Sequence, residues 1–327
     1  MRPIRADRRR FMGACAVALA VAVTGVQAAD YPEKTVTVIV PYAPGGQGDV
    51  FARLVGEKLA QALGKPVIVD NRPGASGALG TRLVVKAPAD GYTLMLGQTG
   101  EIAINGAAMK SPGYDALKDL RPVAMVGNAP LVLVTPANSP FKSLADLLKA
   151  AREKPGSVAY ASSGTATPGH LAAAALAAGS KSEMTHVPYK GAGQAITDVI
   201  GGQVQFFFAS ASSIMPHLKG GKVRALAVST TKRLPALPEV PTVAETMPGF
   251  DFSLWGGYFA PRATPDAVVQ RLSTEINRIV AEPALRTRLE AEGSAVAPMT
   301  PQQFEQFVRD EIAKYTQLVK ATGAQLE

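Results

Sequence analysis

Residues Thr35 to Leu63 read TVTVIVPYAPGGQGDVFARLVGEKLAQAL, and the reading of this stretch decides the fold. Val36 to Val40 is an apolar, β-branched run of the kind that forms a buried strand. A Pro- and Gly-rich loop follows, from Pro41 to Asp49. After it Phe51, Leu54, Val55, Leu59 and Leu63 recur at helical spacing. The unit is therefore strand, glycine loop, helix. The loop delivers the chain to a helix N-terminus, whose free backbone N–H groups and positive dipole end suit an anion. Gly45 and Gly46 would let a carboxylate approach the backbone with no side chain in the way. The loop lacks the Lys-Ser/Thr end of a nucleotide P-loop and the spacing of a dinucleotide fingerprint. Taken alone, it is equally a turn that merely starts a helix.

Outward from that unit the alternation continues. Val67 to Val69 reads as a second strand, Ser76 to Val84 as a small-residue helix, and Tyr92 to Leu96 as a third strand after the Asp90-Gly91 turn. Strand–helix–strand–helix–strand order implies parallel pairing, because a parallel crossover needs a helix to return the chain. Ligands of such sheets bind outside the carboxyl ends of the strands. Here those ends are the loops Tyr42–Asp49 and Gly97-Gln98-Thr99-Gly100-Glu101. Val123 to Thr135 is expected to cross into a second domain, its two β-type runs interrupted by Gly127-Asn128-Ala129-Pro130. There Ser143 to Asp146 forms a capping-box pattern, and Val158 to Ala161 a strand. The loop Ser162-Ser163-Gly164-Thr165-Ala166-Thr167-Pro168-Gly169 then leads into a helix, repeating the opening motif with hydroxyls. Strands are expected at 185–188, 203–208, 223–229 and 252–259, helices at 194–200 and 213–218, and a helical tail. The proline-punctuated stretch 234–248 reads as a connector.

The N-terminus reads as an export signal. Arg2, Arg5, Arg8, Arg9 and Arg10 precede the apolar run Phe11 to Val26, and Val26-Gln27-Ala28 is a small-residue cleavage pattern. The run is shorter than the roughly 20 residues a membrane span needs. Arg8-Arg9-Arg10-Phe11-Met12 fits a twin-arginine signal as well as a general secretory one. Cleavage near Ala28 into a bacterial periplasm is expected. It would lower the net charge from +8 to +4, since segment 1–28 carries five Arg and one Asp. No concentrated basic face remains to support a nucleic-acid partner. Cys15, the only cysteine, would be lost too, so stability must come from packing.

The quoted stretches also resemble a known family when taken in order. They are Pro41-Tyr42-Ala43-Pro44-Gly45-Gly46 with Asp49, Asn71-Arg72-Pro73-Gly74-Ala75-Ser76-Gly77, and Ser163-Gly164 with His170-Leu171. Val187-Pro188-Tyr189-Lys190-Gly191, Gly201-Gly202-Gln203-Val204, Arg224 to Val228, Leu237 to Thr242 with Glu245, and Trp255-Gly256 complete the set. In this order they are similar to Bug-type receptors, the periplasmic solute-binding components of tripartite tricarboxylate transporters. The resemblance implies an α/β, type II flytrap fold of two lobes, each with a mainly parallel sheet, joined by two hinge crossings. Residues 29–128 with 229–327 would form one lobe and 129–228 the other. It implies a small carboxylate held between the lobes by backbone amides and hydroxyls, and a membrane permease as partner. A monomer without cofactor, metal or enzymatic activity is expected. The site would draw on Tyr42, Ala43, Gly45, Gly46, Asp49 and Thr99 from one lobe. The other would supply Ser162, Ser163, Gly164, Thr165, His170, Ala209 and Ser210. The loops Ala43–Asp49 and Ser162–Thr165 contain no Lys or Arg, which agrees with that mode of capture. Gln205 and Ala209 stand where relatives commonly carry aspartate, which favours a plain acid over an amino acid.

The rival reading is a periplasmic hydrolase using Ser163 and His170, or a receptor for signalling rather than uptake. No Gly-x-Ser-x-Gly elbow is present, and His170 fits a first-turn residue bracing its loop. Asp49 has a second reading as a helix-capping residue. His170, His186 and His217 lack metal-ligand spacing.

Overall fold

The computed structural model describes residues 31–326 except 45, 190, 292 and 297. The expected signal segment, Gly45 and Lys190 therefore lie outside the described residues. The opening stretch forms strand β1 (Val36–Val40) and helix α1 (Gln47–Leu63). Phe51, Val55 and Leu59 of α1 are wholly buried, and the helix stops at Gly64 in the left-handed conformation. β1 lies between two parallel partners, β2 (Val67–Asn71) and β3 (Thr93–Gln98), with helices packed against it, and all its residues but Thr37 are apolar and buried. Helix α2 (Ala78–Val85) makes the β2–β3 crossover. Beyond β3 come a π-helical turn, Gly100–Ile104, and the short helices α3 (Asn105–Ala108) and α4 (Ala116–Asp119).

Strand β4 (Leu120–Pro136) is a single 17-residue element, not two interrupted runs. Its sequence breaks because its partners do. Residues 120–130 pair antiparallel with the returning strand, and residues 131–136 join a second sheet. Pro130, which has no N–H to donate, sits where the partners exchange. After α5 (Leu144–Glu153), capped by the Ser143–Asp146 box, β5 (Val158–Ser162) pairs parallel with β6 (Met184–Pro188) and β7 (Phe206–Ser210). Helices α6 (Pro168–Gly179), α7 (Ala192–Ile200) and α8 (Ala211–Lys219) follow β5, β6 and β7, and β8 (Val223–Val228) pairs antiparallel with β4. β9 (Ser253–Pro261) returns to the first sheet between β3 and β4. Helices α9 (Asp266–Ala281), α10 (Pro283–Ala291) and α11 (Pro301–Thr322) complete the chain.

The chain thus builds two lobes joined by two strand crossings, at 130/131 and 252/253. The return comes later than the expected 228/229, because the connector belongs with the second sheet. Leu234, Leu237 and Val240 pack into that lobe's core, and the Val228 amide donates to Pro241 O at 2.9 Å. Ser229 clasps the two crossings: its hydroxyl accepts from Leu131 N and donates to Phe252 O. Behind them α11 packs against both α6 and the π-helical turn, and buries Phe304, Val308, Tyr315 and Val319. Trp255 is fully buried there, its indole N–H donating to Glu311 at 2.8 Å.

A candidate ligand cleft at the lobe junction

The strand registers place the cleft. Gln98, at the end of β3, is opposite Gly256; Pro130 is opposite Ser253; Leu131 is opposite Ser210, at the end of β7. The carboxyl ends of the parallel strands of both sheets therefore meet at the crossings. The loops at 41–44 and 98–101 of one lobe and those at 162–167 and 210–213 of the other follow the strand ends at this junction.

In the first lobe Ala43 and Gly46 are exposed and Tyr42 is half-buried. Gly46 is the N-cap of α1, with φ −79° and no side-chain cap. That backbone suits any residue, and a Cβ there would meet only Ala43 O at 3.8 Å. What the missing side chain of Gly46 leaves is open backbone, in a conformation that needs no glycine. Asp49 is buried and receives the Arg53 guanidinium on both oxygens, at 2.9 and 3.1 Å. Arg53 also donates to Asn71, whose amide donates to Tyr42 O. The chain Asp49–Arg53–Asn71–Tyr42 thus braces the loop from behind. Thr99 is wholly buried, and its hydroxyl accepts from Trp255 N at 3.0 Å, tying β3 to β9. Its side chain serves the fold. Gln47 and Gln98, placed in the cleft loops by the sequence but not among its site residues, hydrogen-bond each other, and Gln47 also donates to Leu254 O at the crossing.

In the second lobe Gly164 has φ 144°, a region that favours glycine. Ser162 is buried and its hydroxyl is fully engaged. It lies 2.9 Å from Gly164 O, 3.2 Å from Gly164 N and 2.7 Å from His186 Nε2. A hydroxyl has one proton. With that proton on the Gly164 carbonyl, Ser162 accepts from Gly164 N–H and from the Nε2–H tautomer of His186; in the other tautomer it donates to His186 Nε2. His170 is buried and accepts from Ala166 N at its Nδ1, 2.9 Å away, bracing the same loop. The two imidazoles stack, centroids 3.8 Å apart and nearly parallel, with Tyr160 stacked alongside. Burial holds His170 down to about 4 and lowers His186 as well, so both rings are neutral at pH 7. Ser163 and Thr165 are half-buried, and neither hydroxyl has a hydrogen bond among the described residues. Ser210 is the N-cap of α8 and bonds Ser213 at 2.8 Å. Ala209 is fully buried in the second lobe's core, so its side chain does not reach the cleft. Gln205 lies at the opposite end of β7, where its side chain accepts from Ala159 N.

Three helices thus begin at this junction: α1 from one lobe, α6 and α8 from the other. None has a side-chain cap, a feature shared with α2, α7 and α9, whereas α5 and α11 are capped by Ser143 and Thr300. Their first N–H groups remain unmatched by a capping side chain, and the three dipoles add positive potential where the lobes face each other. A model of the tripartite tricarboxylate transporter family receptor matches residues 51–324. The chain belongs to this family. It is 39% identical over 315 residues to the UPF0065 protein in the tcbD-tcbE intergenic region of Pseudomonas sp. strain P51, covering 95% of this chain and 94% of that one. Among solved structures, R. palustris Rpa4515 with adipate superposes with a TM-score of 0.83 at 34% identity, covering 91% of this chain and 100% of the other. MatC of Rhodopseudomonas palustris with bound malate gives 0.78 at 32%, covering 88% and 100%. The receptor family is a periplasmic one with the flytrap fold, as the sequence resemblance implied. Arg53, Gln98, Glu101 and His186 were not expected in supporting roles. Arg53 could have been found as the i+4 partner of Asp49; the others reach the cleft only through tertiary pairing.

Proposed function

We propose that the protein captures a small carboxylate between its lobes and presents it to the membrane permease of a tripartite tricarboxylate-type transporter. The observation that carries this reading is the meeting of three uncapped helix N-termini, from both lobes, around loops whose described residues include no Lys or Arg. Such a site holds an anion through N–H groups and hydroxyls. The adipate in Rpa4515 and the malate in MatC support an acid of that size. The candidate contacts are the backbones of Ala43, Gly45, Gly46 and Gly164, with the side chains of Ser163, Thr165 and Ser210, while the Tyr42 hydroxyl, spent on Glu101, anchors its loop. Asp49, Thr99, Ser162 and His170 act from behind, holding the loops. A carboxylate touching both lobes favours the closed state by the contacts it gains there.

The protein works as an exported monomer and performs no chemistry on its ligand. The Ala166 amide on His170 Nδ1 and the absence of any hydrogen bond to the Ser163 hydroxyl among the described residues support that over a hydrolase using Ser163 and His170. Titration calorimetry with adipate, malate and matched uncharged diamides tests the reading, with small-angle scattering alongside. Binding of a diacid with a smaller radius of gyration is expected. Diamides binding as well as the acids, or a bound acid recovered hydrolysed or otherwise altered, would overturn it.

A further inference from the structure

Glu101 is a wholly buried carboxylate in the π-helical turn at the end of β3, and the described residues give it no cation. Its Oε1 accepts from Gln98 N at 2.6 Å and its Oε2 from the Tyr42 hydroxyl at 2.8 Å. The Tyr42 phenol sits in a tight slot: a Cβ at Gly100 would come within 2.7 Å of its hydroxyl, and one at Gly77 within 3.1 Å. Glu101 thereby holds the loop that leads into α1 by its first aromatic residue. It also holds, through Gln98, the amide partner of Gln47 at the start of α1.

The charged and titratable groups on the surrounding elements are all turned elsewhere. Arg82 of α2 donates to Pro112 O at 2.8 Å. Tyr114 donates to the Glu101 carbonyl, not its carboxylate, at 2.6 Å. Asp115 accepts from the Leu117 and Lys118 amides and pairs with Lys118. On α11, Glu311 takes the Trp255 indole N–H and pairs with Lys314, and Tyr315 is buried beside them. Three neutral donors, one of them its own amide, are what Glu101 has, and burial pushes its carboxyl up to about 7. Near neutral pH a buried group so placed is divided between its two forms. An added negative charge close by, at low dielectric, shifts it toward the protonated one.

We infer that Glu101 is a positioning residue whose protonation is linked to ligand capture: it anchors the β1–α1 loop through Tyr42 and takes up a proton when a carboxylate is held at the N-terminus of α1. The inference rests on the carboxylate-receptor reading. Protonation leaves the Tyr42 bond in place, because the neutral carboxyl still offers an acceptor oxygen. Capture then brings in the anion and a proton together, and affinity weakens as pH rises.

The test is titration calorimetry of the full mature protein with adipate and with malate. It is run between about pH 6.5 and 8.5, in pairs of buffers with different ionisation enthalpies. Wild type should show buffer-dependent heats reporting net proton uptake, with Kd rising toward the limit of about tenfold per pH unit that one linked proton sets. Glu101→Gln keeps an acceptor for Tyr42; it should bind without proton uptake and with a flat pH profile. Binding without uptake in wild type, or uptake unchanged in Glu101→Gln, overturns the inference and leaves the receptor reading standing. Failure of wild type to bind either acid at about millimolar concentration removes both. Should Glu101→Gln not fold, carbon-13 NMR of glutamate-labelled wild type decides. One buried carboxyl should titrate near neutrality and move upward with adipate. Titration of every glutamate carboxyl below about pH 5 refutes the linkage.

Discussion

Ser162 and Ser163 are neighbours of the same chemistry placed in opposite circumstances, and Ser163→Ala against Ser162→Ala separates ligand contact from loop support. Ser163 has no hydrogen bond among the described residues and is half-buried at the cleft, whereas Ser162 is buried with Gly164 and His186 on its hydroxyl. Removing the Ser163 hydroxyl should cost one hydrogen bond to a charged ligand, about 1.5–3 kcal/mol, or roughly 10- to 150-fold in Kd. Folding stability should change by less than about 0.5 kcal/mol, as for a site with no internal partner. Removing the Ser162 hydroxyl leaves Gly164 N and His186 Nε2 each short of a hydrogen-bond partner, with an expected loss of about 1–3 kcal/mol in stability. Adipate or malate titration calorimetry gives the first quantity and urea denaturation of the ligand-free protein the second. A Ser163→Ala protein that binds within twofold of wild type, or unfolds 1 kcal/mol more easily, would refute the assignment of Ser163 to the ligand.

Acid should destabilise the second lobe through its histidine pair. His170 is held at about 4 against an ordinary 6.5, so its contribution is complete above about pH 6.5 and is lost as pH falls through 4. It amounts to about 3 kcal/mol by that difference. His170→Asn, which can keep an acceptor for Ala166 N, should flatten urea-midpoint profiles between pH 7 and 4, and an unchanged profile would contradict the neutral stacked pair. The two loop glycines should also respond differently. Gly164→Ala forces a side chain onto φ 144° and should cost about 1–3 kcal/mol, while Gly46→Ala at φ −79° should cost under about 1 kcal/mol and act on affinity. Equal destabilisation by the two, measured in urea, would refute this distinction.

What the sequence made legible was local, and what it hid was pairing. The strand–loop–helix unit at Val36–Leu63 and the capping box at Ser143 declare themselves through periodicity and turn chemistry, which need no distant partner. The family resemblance added the two-lobe plan, and the cleft loops follow from the rule that strand ends face the ligand. Thr99 and Ala209 misled because position at a strand end does not fix where a side chain points: one hydroxyl is spent on β9, the other residue faces a core. Arg53 was passed over, and Gln98 and Glu101 were read only as members of a cleft loop, for the converse reason. Each looks like an ordinary polar residue until α1, β3 and the loop at Tyr42 are brought together. The loops themselves hold little charge, while the layer behind them holds Asp49, Arg53 and Glu101 in fixed bonds. An anion site made of backbone N–H groups gains its selectivity from how firmly those groups are held. The residues that matter most to it are therefore among those that never touch the ligand, and a sequence pattern read for contacts will miss them.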